Sequence, residues 1–236
     1  MTDPQASEPA WWKDAFTADY LKIYAHRDDA EAEAMVERLM PMLAGIPGPV
    51  LDVGCGGGRH LAALRRRGLA AFGLDYSKDL LAAATVRPEL PGRLVRADMR
   101  APPIAPGSCG AVLLLFTAFG YFTDEENAAC LKSLAELLLP GGVLILDLPD
   151  PEAVKAGLVA ESQRMVDGRL VRESRRIVGN RVEKTVRMED GREWRESVRL
   201  FHPEEMQTMV SSRCISLTTT VMNHQRSFLY HFKRPL

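Results

Sequence analysis

Short apolar runs alternate with amphipathic stretches between about residues 48 and 149. The apolar runs that predict strands are PVLDVG, LAAFGLD, GRLVRAD, GAVLLLFTA and VLILDL. The stretches that predict helices are RHLAALRRRG, SKDLLAAATVR and DEENAACLKSLAELLLPGG, ended by Gly68 in the first case and by Pro-Gly-Gly in the last. Strands that alternate with helices favour an α/β fold, a Rossmann-like doubly wound and mostly parallel sheet.

The hydrophobic period changes to nearly two after residue 150, and the pairs Gly179-Asn180 and Asp190-Gly191 are hairpin signals. This pattern predicts an antiparallel β insert after the fifth strand. Its charged positions indicate solvated strand faces, with a lid or a dimer surface as the alternative. PEEMQTMV then predicts a short helix, and ISLTTTV and RSFLYHF predict two closing strands of a seven-stranded sheet.

Residues 1–45 predict a helical segment with clustered aromatic side chains, which is interpreted as a lid. The expected organisation is therefore this N-terminal segment, a core formed by residues 46–150 and 203–236, and the β insert at residues 151–202. No apolar run reaches the 18 or so residues of a membrane span, and the N-terminus has no signal-peptide pattern.

The composition is typical of a globular protein and argues against nucleic-acid binding and a metal site. Of 236 residues, 46% are hydrophobic and 26% charged, as in a soluble globular protein, and the formal net charge is −1. A protein that binds nucleic acid usually carries a basic excess, and none is present. The four cysteines, Cys55, Cys109, Cys130 and Cys214, lack zinc-type spacing, so we expect no metal and reduced thiols in a cytoplasmic protein.

A glycine-rich loop follows the first predicted strand. Gly54 and Gly56 fit the first two places of the dinucleotide fingerprint GxGxxG, but Arg59 occupies the third. No Gly-Lys-Ser/Thr follows, so the phosphate-binding loop is excluded as well. The pattern is instead DxGxGxG, beginning at Asp52, and its bare backbone suits close approach of a ligand.

Two acidic residues follow at the ends of the next predicted strands. Asp75 ends the second strand, where a carboxylate accepts hydrogen bonds from both hydroxyls of a ribose. Asp98 ends the third, where it is placed to accept from the exocyclic amine of adenine. Glycine, aspartate and aspartate at successive strand ends indicate a nucleoside pocket.

The motifs LDVGCGGGRH, GLDYS, RADMR and LLPGGVLILD, taken in order, resemble those of class I S-adenosylmethionine-dependent methyltransferases. The chain is most similar to a branch of small bacterial methyltransferases with aromatic N-terminal helices and a β-hairpin insert. WKDAFTADYLKIYAHR at residues 12–27 and FTAFGYF at residues 116–122 carry that similarity. The resemblance implies a cytoplasmic enzyme of secondary metabolism that uses S-adenosyl-L-methionine and releases S-adenosyl-L-homocysteine.

The resemblance also assigns cofactor contacts. The backbone of Gly54, Cys55 and Gly56 would face the methionine part, Asp75 would hold the ribose, and Tyr76, Asp98 and Met99 would surround the adenine. Phe116 would lie at the amino-acid end of the cofactor, and His60, which opens the first helix, would be close enough to touch the cofactor. Tyr20 and Tyr24 would close over the cofactor from the N-terminal helices.

The acceptor is expected to be a small molecule methylated on nitrogen, oxygen or carbon, with no nucleic acid or membrane partner, in a monomer or homodimer. Tyr121 and His26 are the candidates for proton removal, and Phe119, Tyr121 and Arg199 for acceptor contact. Three alternatives stay open: an RNA methyltransferase, a relative that binds the cofactor without transferring methyl, and a nicotinamide dehydrogenase.

Overall fold

The computed structural model describes residues 10–210 and 227–236, together with the backbone of residues 216–222. The first nine residues and Cys214 therefore lie outside the described part of the chain. The strands are β1 (Val50–Val53), β2 (Ala71–Asp75), β3 (Leu94–Arg96), β4 (Cys109–Leu114), β5 (Leu138–Pro149), β6 (Glu161–Val166), β7 (Arg169–Val178), β8 (Arg181–Met188), β9 (Glu193–Arg199), β10 (Ser216–Met222) and β11 (Ser227–Lys233). The helices are α1 (Trp12–Ala15), α2 (Ala18–Ile23), α3 (Asp29–Leu43), α4 (Arg59–Arg66), α5 (Lys78–Thr85), α6 (Asp124–Glu136), α7 (Pro151–Gly157) and α8 (Pro203–Val210).

The central sheet has seven strands in the order β10-β11-β5-β4-β1-β2-β3. Strands β1 to β5 are mutually parallel, and β11 runs antiparallel to both of its neighbours. The predicted Rossmann-like, mostly parallel seven-stranded sheet is confirmed. Because the chain order reverses between β1 and β4, a crevice opens at the carboxyl ends of these two strands.

Apolar side chains of the parallel strands alternate between two cores, one on each face of the sheet. Leu51 and Val53 belong to the core beneath α6 and α8, while Val50 and Leu113 belong to the core beneath α3 and α4. Both faces are buried, which explains why the strands read as continuous apolar runs. Among the residues described, no helix is long and apolar enough to cross a membrane.

Local signals set most helix starts. The Ser77 side chain caps α5 by accepting from the Leu80 N–H at 3.1 Å, and Thr123 and Glu126 form a capping box at α6. Helix α6 was expected to end at Pro-Gly-Gly, but it ends earlier, at Glu136. The next strand begins at Leu138, which already pairs with Cys109 of β4, so the helix cannot continue. Helix α7 was not predicted, although Pro151 at its first position and the Asp150 cap are recognisable signals.

The predicted antiparallel insert is confirmed as a separate four-stranded sheet of order β6-β7-β8-β9. Strand β6 and its turn at Asp167-Gly168, where both residues have positive φ, were not predicted. One face of the insert packs on α2, where Ile23 contacts a small core that includes Val171 and Val186. The insert is therefore held against the N-terminal helices.

Candidate active site

A cavity of about 400 Å³ lies at the carboxyl ends of the parallel strands. Every residue assigned above to the cofactor lines it, and so does Tyr121. The glycine loop after β1, the ends of β2 and β3, the loop after β4 and the N-terminal helices supply its walls. The cavity thus occupies the crevice that the strand order creates.

Three glycines of the loop after β1 have backbone conformations that favour glycine. Gly54, Gly56 and Gly58 have φ of 69°, 54° and 75°, in the left-handed region that side chains with a Cβ avoid. A Cβ on Gly54 would lie 2.9 Å from the Cβ of Ala118. The loop therefore presents bare backbone to the cavity, and it passes directly into α4.

Asp75 fixes the loop from the neighbouring strand. Its Oδ2 accepts the Gly56 N–H at 2.7 Å, and its Oδ1 accepts the Ser77 N–H at 2.8 Å. Burial raises the pKa of this carboxyl, while these backbone N–H groups oppose the increase. The result is a carboxylate held in one orientation at the wall of the cavity.

Asp52 lies one layer deeper, at the start of the glycine motif. It is 2% exposed, and its Oδ2 has no hydrogen-bond partner in the described part of the chain. Burial, and next the charge of Asp75, raise the pKa of Asp52 to about 7. A second carboxyl therefore titrates near neutrality immediately below the loop.

Asp98 and Met99 lie beyond the end of β3. Both Asp98 oxygens bond the Arg100 guanidinium, at 2.7 Å for the shortest contact, and Oδ1 also accepts the Arg100 N–H. Burial favours a higher pKa for Asp98, but Arg100 outweighs it and holds this pKa below its usual range. Asp98 is thus a fixed, ionised acceptor at this end of the cavity.

The loop after β4 has an uncommon backbone. Phe116 and Thr117 both have positive φ, 56° and 58°, although neither is glycine. Buried Asp147 on β5 holds them, because its carboxylate accepts the Phe116 N–H at 3.2 Å and its carbonyl accepts the Thr117 N–H at 3.0 Å. The Tyr121 hydroxyl donates to the Thr117 carbonyl at 2.7 Å. This turn directs the Phe116 ring into the cavity wall.

Aromatic side chains from the N-terminal helices cover the cavity. Trp12 meets Tyr76 edge to face at 4.7 Å between centroids, and Tyr20 lies 4.5 Å from Tyr24. The Ser77 hydroxyl donates to the Phe16 carbonyl at 2.5 Å, which ties this cover to the start of α5. The cover gives the cavity apolar walls, which favour the exclusion of water when a ligand is bound.

Three arginines for which the sequence predicted no role also line the cavity: Arg27, Arg59 and Arg87. The guanidinium groups of Arg27 and Arg59 lie 4.8 and 5.6 Å from the centre of the Phe116 ring. Both form ion pairs with Glu31. Arg27 is the last residue of the motif WKDAFTADYLKIYAHR, and Arg59 is the first residue of α4. Because both guanidinium groups lie beside the Phe116 ring, this end of the cavity is cationic.

His60 lines the cavity from the first turn of α4. Burial, and next the charge of Arg59, lower the pKa of this imidazole to about 3. His60 is therefore neutral at physiological pH. It offers a donor and an acceptor but no charge.

Three predicted residues lie outside the cavity. His26 is exposed on the surface after α2. Phe119 is fully buried and stacks on Phe201 with centroids 5.3 Å apart. Arg199, 7% exposed, is held by Asp124 at 3.1 Å and Glu205 at 2.6 Å. These positions do not support the assignments of His26 as a base or of Phe119 and Arg199 as acceptor contacts.

Tyr121 lines the cavity, but burial raises the pKa of its phenol well above the ordinary value. Its proton is already donated to a backbone carbonyl. Tyr121 is therefore a neutral residue that supports the turn at Phe116, and it is unsuited to accept a proton.

Comparison with known proteins agrees with this geometry. Residues 50–142 match a family model described as a methyltransferase domain. A dTDP-3-amino-3,4,6-trideoxy-alpha-D-glucopyranose N,N-dimethyltransferase from Streptomyces venezuelae is 37% identical over 52% of this chain and 52% of its own length. A trans-aconitate 2-methyltransferase from Delftia acidovorans is 36% identical over 43% of this chain and 38% of its own length. The chain thus matches about half, or less, of these curated relatives.

Solved structures match over nearly the whole chain. An S-adenosylmethionine-bound amino pentose methyltransferase from Micromonospora echinaspora, involved in calicheamicin biosynthesis, has a TM-score of 0.70 at 28% identity. The match covers 91% of this chain and 96% of that one. A second structure, from Clostridium acetobutylicum, has a TM-score of 0.74 at 16% identity and shows the common fold.

Proposed function

We propose that this chain, whose residues 50–142 match a methyltransferase domain, is a class I enzyme that transfers a methyl group from S-adenosylmethionine to a small molecule. The observation that carries the proposal is the construction of the cavity. A bare glycine loop bonded to Asp75 lies at the strand-order switch beside a second acid, Asp98. Aromatic helices cover this arrangement.

The residues present fit the cofactor. Asp75 is an oriented acceptor for a ribose diol, and Asp98 with Met99 provides a polar and an apolar contact for adenine. A Cβ on Gly54 would lie only 2.9 Å from the Cβ of Ala118, so this position requires bare backbone. Arg27 and Arg59 supply positive charge for a carboxylate at the opposite end. The aromatic rings of Tyr20 and Tyr24 offer π faces, which attract a cation.

When bound, the cofactor supplies a methyl group already activated by the positive sulfur. The protein is then required mainly to orient the acceptor and exclude water, and correct orientation alone is worth about 7–11 kcal/mol in well-aligned systems. The N-terminal aromatic helices exclude the water. The turn at Phe116, held by Asp147, fixes one wall against which the acceptor is aligned.

Proton removal is not assigned to a side chain. Burial raises the pKa of Tyr20, Tyr24 and Tyr121 above the ordinary value, so these phenols stay protonated. His60, with a pKa of about 3, is a very weak base. A base is needed only when the nucleophile reacts from a protonated form. An amine that releases its proton to solvent before it reacts is compatible with this site.

We favour an amino group of a small, oxygen-rich metabolite as the acceptor, such as an amino sugar. Support comes from the relatives, since the N,N-dimethyltransferase and the amino pentose methyltransferase both act on amino sugars by name. A small polycarboxylate such as trans-aconitate, the compound in the name of another relative, is the second candidate. The net charge of −1 argues against RNA as acceptor.

Methyl-labelled S-adenosylmethionine and a cell extract separated by size test this proposal. Half of the small-molecule fraction is first treated with acetic anhydride, which blocks amines. We expect label in the untreated small molecules, none in the blocked half, and none with the Asp75→Ala variant. Label that persists in the blocked half moves the acceptor to oxygen or carbon. Label in RNA or protein instead contradicts a small-molecule function.

A further inference from the structure

The Tyr24 hydroxyl and the Lys184 ammonium join the cover of the cavity to the β insert. Lys184 Nζ donates to the Tyr24 oxygen at 2.6 Å, and the ammonium lies 4.8 Å from the centre of the Tyr24 ring. Tyr24 lines the cofactor cavity, whereas Lys184 lies on β8 of the insert. This contact spans 160 residues of sequence.

Lys184 is built into the insert as a fixed group. It is 7% exposed, and its ammonium lies 3.0 Å from Glu173 and 3.7 Å from Glu196. Burial opposes ionisation of Glu173, but Lys184 and then Arg175 hold its pKa at about 2. The two carboxylates compensate the buried ammonium, so the position of Nζ is determined by the sheet and not by Tyr24.

The chemistry of the two groups then orients the phenol. An ammonium has donors and no acceptor, so the Tyr24 oxygen must accept from Lys184. The phenol keeps its own proton, because burial raises its pKa and the nearby glutamates raise it further. Within residues 10–210 and 227–236, the bond from Lys184 is the only hydrogen bond of this hydroxyl, so its own proton is donated to no group of the protein. The proton is therefore available to a group in the cavity that Tyr24 lines.

Tyr24 lies at the cationic end of the cavity, near Phe116. The Tyr24 ring lies edge to face with Phe116 at 6.4 Å, and Arg27 lies over the same Phe116 ring. A hydroxyl donor beside guanidinium groups suits a carboxylate. Under the proposed function, that carboxylate belongs to the amino-acid part of the cofactor.

We propose that Lys184 is a positioning residue, which fixes the Tyr24 hydroxyl as a hydrogen-bond donor to the cofactor's amino-acid part. The inference rests on the proposed function. It makes the β insert part of the cofactor site, although Lys184 itself does not line the cofactor cavity.

Titration calorimetry with two ligands tests this role. S-adenosylhomocysteine carries the amino-acid part, and 5′-methylthioadenosine has the same nucleoside and sulfur without it. The variants are Tyr24→Phe, Lys184→Met and the double variant. Arg175→Met is the matched control, because Arg175 also pairs with Glu173 at 2.5 Å but has no hydrogen bond to Tyr24.

We expect each single variant to weaken S-adenosylhomocysteine binding about tenfold, as for loss of a charged hydrogen bond, and the double variant to weaken it no further. Binding of methylthioadenosine should stay unchanged, and Arg175→Met should bind both ligands as the wild type does. A wild type that binds neither ligand refutes the proposed function itself.

A wild type that binds both ligands, with Lys184→Met equal to it in affinity, overturns the positioning role and leaves the function intact. Equal weakening of both ligands also overturns it, because it indicates general loss of structure. Thermal unfolding of each variant accompanies the titration. Should Lys184→Met fail to fold, Tyr24→Phe decides the question alone, since unchanged affinity there leaves Lys184 nothing to act through.

Discussion

The backbone N–H of Gly56 donates to the side chain of Asp75 at 2.7 Å, and together with the N–H groups of Gly54 and Cys55, which donate to the Leu74 carbonyl, this bond joins the glycine loop after β1 to the end of β2. The same carboxylate accepts the Ser77 N–H, so it also meets the start of α5. Two separate sequence motifs, a glycine cluster and a strand-ending acid, are thereby one structural unit. The geometry of the loop and the orientation of the acid depend on each other.

Replacing Asp75 by alanine should therefore weaken S-adenosylhomocysteine binding strongly, by about 100-fold. The variant loses the carboxylate that we propose binds the ribose, and it also releases the Gly56 N–H from its partner. Asp79→Ala is the control, because Asp79 lies in the first turn of α5 and does not line the cavity. Titration calorimetry of both variants is the measurement. An Asp75→Ala protein with wild-type affinity would refute the ribose assignment.

Gly54→Ala should destabilise the protein and impair cofactor binding. A left-handed residue with a Cβ costs about 1–2 kcal/mol, and the new methyl would also meet Ala118 at 2.9 Å. Gly68→Ala has a similar φ of 81° with nothing within 4 Å, so it should show the backbone cost alone. Adding Ala118→Gly to Gly54→Ala should restore part of the lost stability. Equal free energies of unfolding for Gly54→Ala and Gly68→Ala would contradict the packing argument.

Asp52 predicts a pH dependence of stability. Its pKa is about 7 in the folded protein and about 4 in an unfolded chain, so the folded state keeps its proton longer as pH rises. The stabilisation from the protonated carboxyl is full below about pH 4 and is lost as pH rises to about 7. Asp52→Asn should gain stability relative to the wild type, on the order of 2 kcal/mol, between pH 4.5 and 7.5. A difference that does not change with pH, measured by denaturant unfolding, would rule this out.

Arg199→Met should lower stability without altering ligand affinity. The buried guanidinium binds Asp124 and Glu205, which connects β9 to α6 and α8. Both acids are partly exposed, so the cost should be about 2 kcal/mol, less than for a fully buried pair. Thermal unfolding and calorimetry with S-adenosylhomocysteine test the two parts separately. A change in the Km of an identified acceptor, at unchanged stability, would instead restore the substrate role first expected of Arg199.

Local patterns were sufficient to predict the central sheet. Apolar runs such as that at Leu113 mark buried parallel strands, and glycine and aspartate at strand ends carry chemistry that depends on residue type alone. The boundary between α6 and β5 was not predictable, because it depends on the pairing of Leu138 with Cys109, which is distant in the sequence. Likewise, nothing local distinguishes buried Arg199 from exposed Arg195 on the same strand.

The residues of the candidate site also differ in how far the sequence predicts them. Asp75 and Gly54 are recognisable from their spacing, whereas Arg59 was identified only as a departure from GxGxxG, with no role in the site. Its place beside Phe116 depends on the left-handed turn that Asp147 holds from another strand. Lys184 lies in a stretch interpreted as solvated strand, and its burial arises because α2 packs on that face. Contacts between distant segments determined these parts of the site.

Thermal unfolding of the wild type with S-adenosylhomocysteine, and separately with NAD, tests the central claim most directly, because a ligand of the folded state raises apparent stability. We predict a clear, concentration-dependent rise in Tm with S-adenosylhomocysteine and no rise with NAD. Stabilisation by NAD alone would contradict the account and make the glycine loop a dinucleotide site.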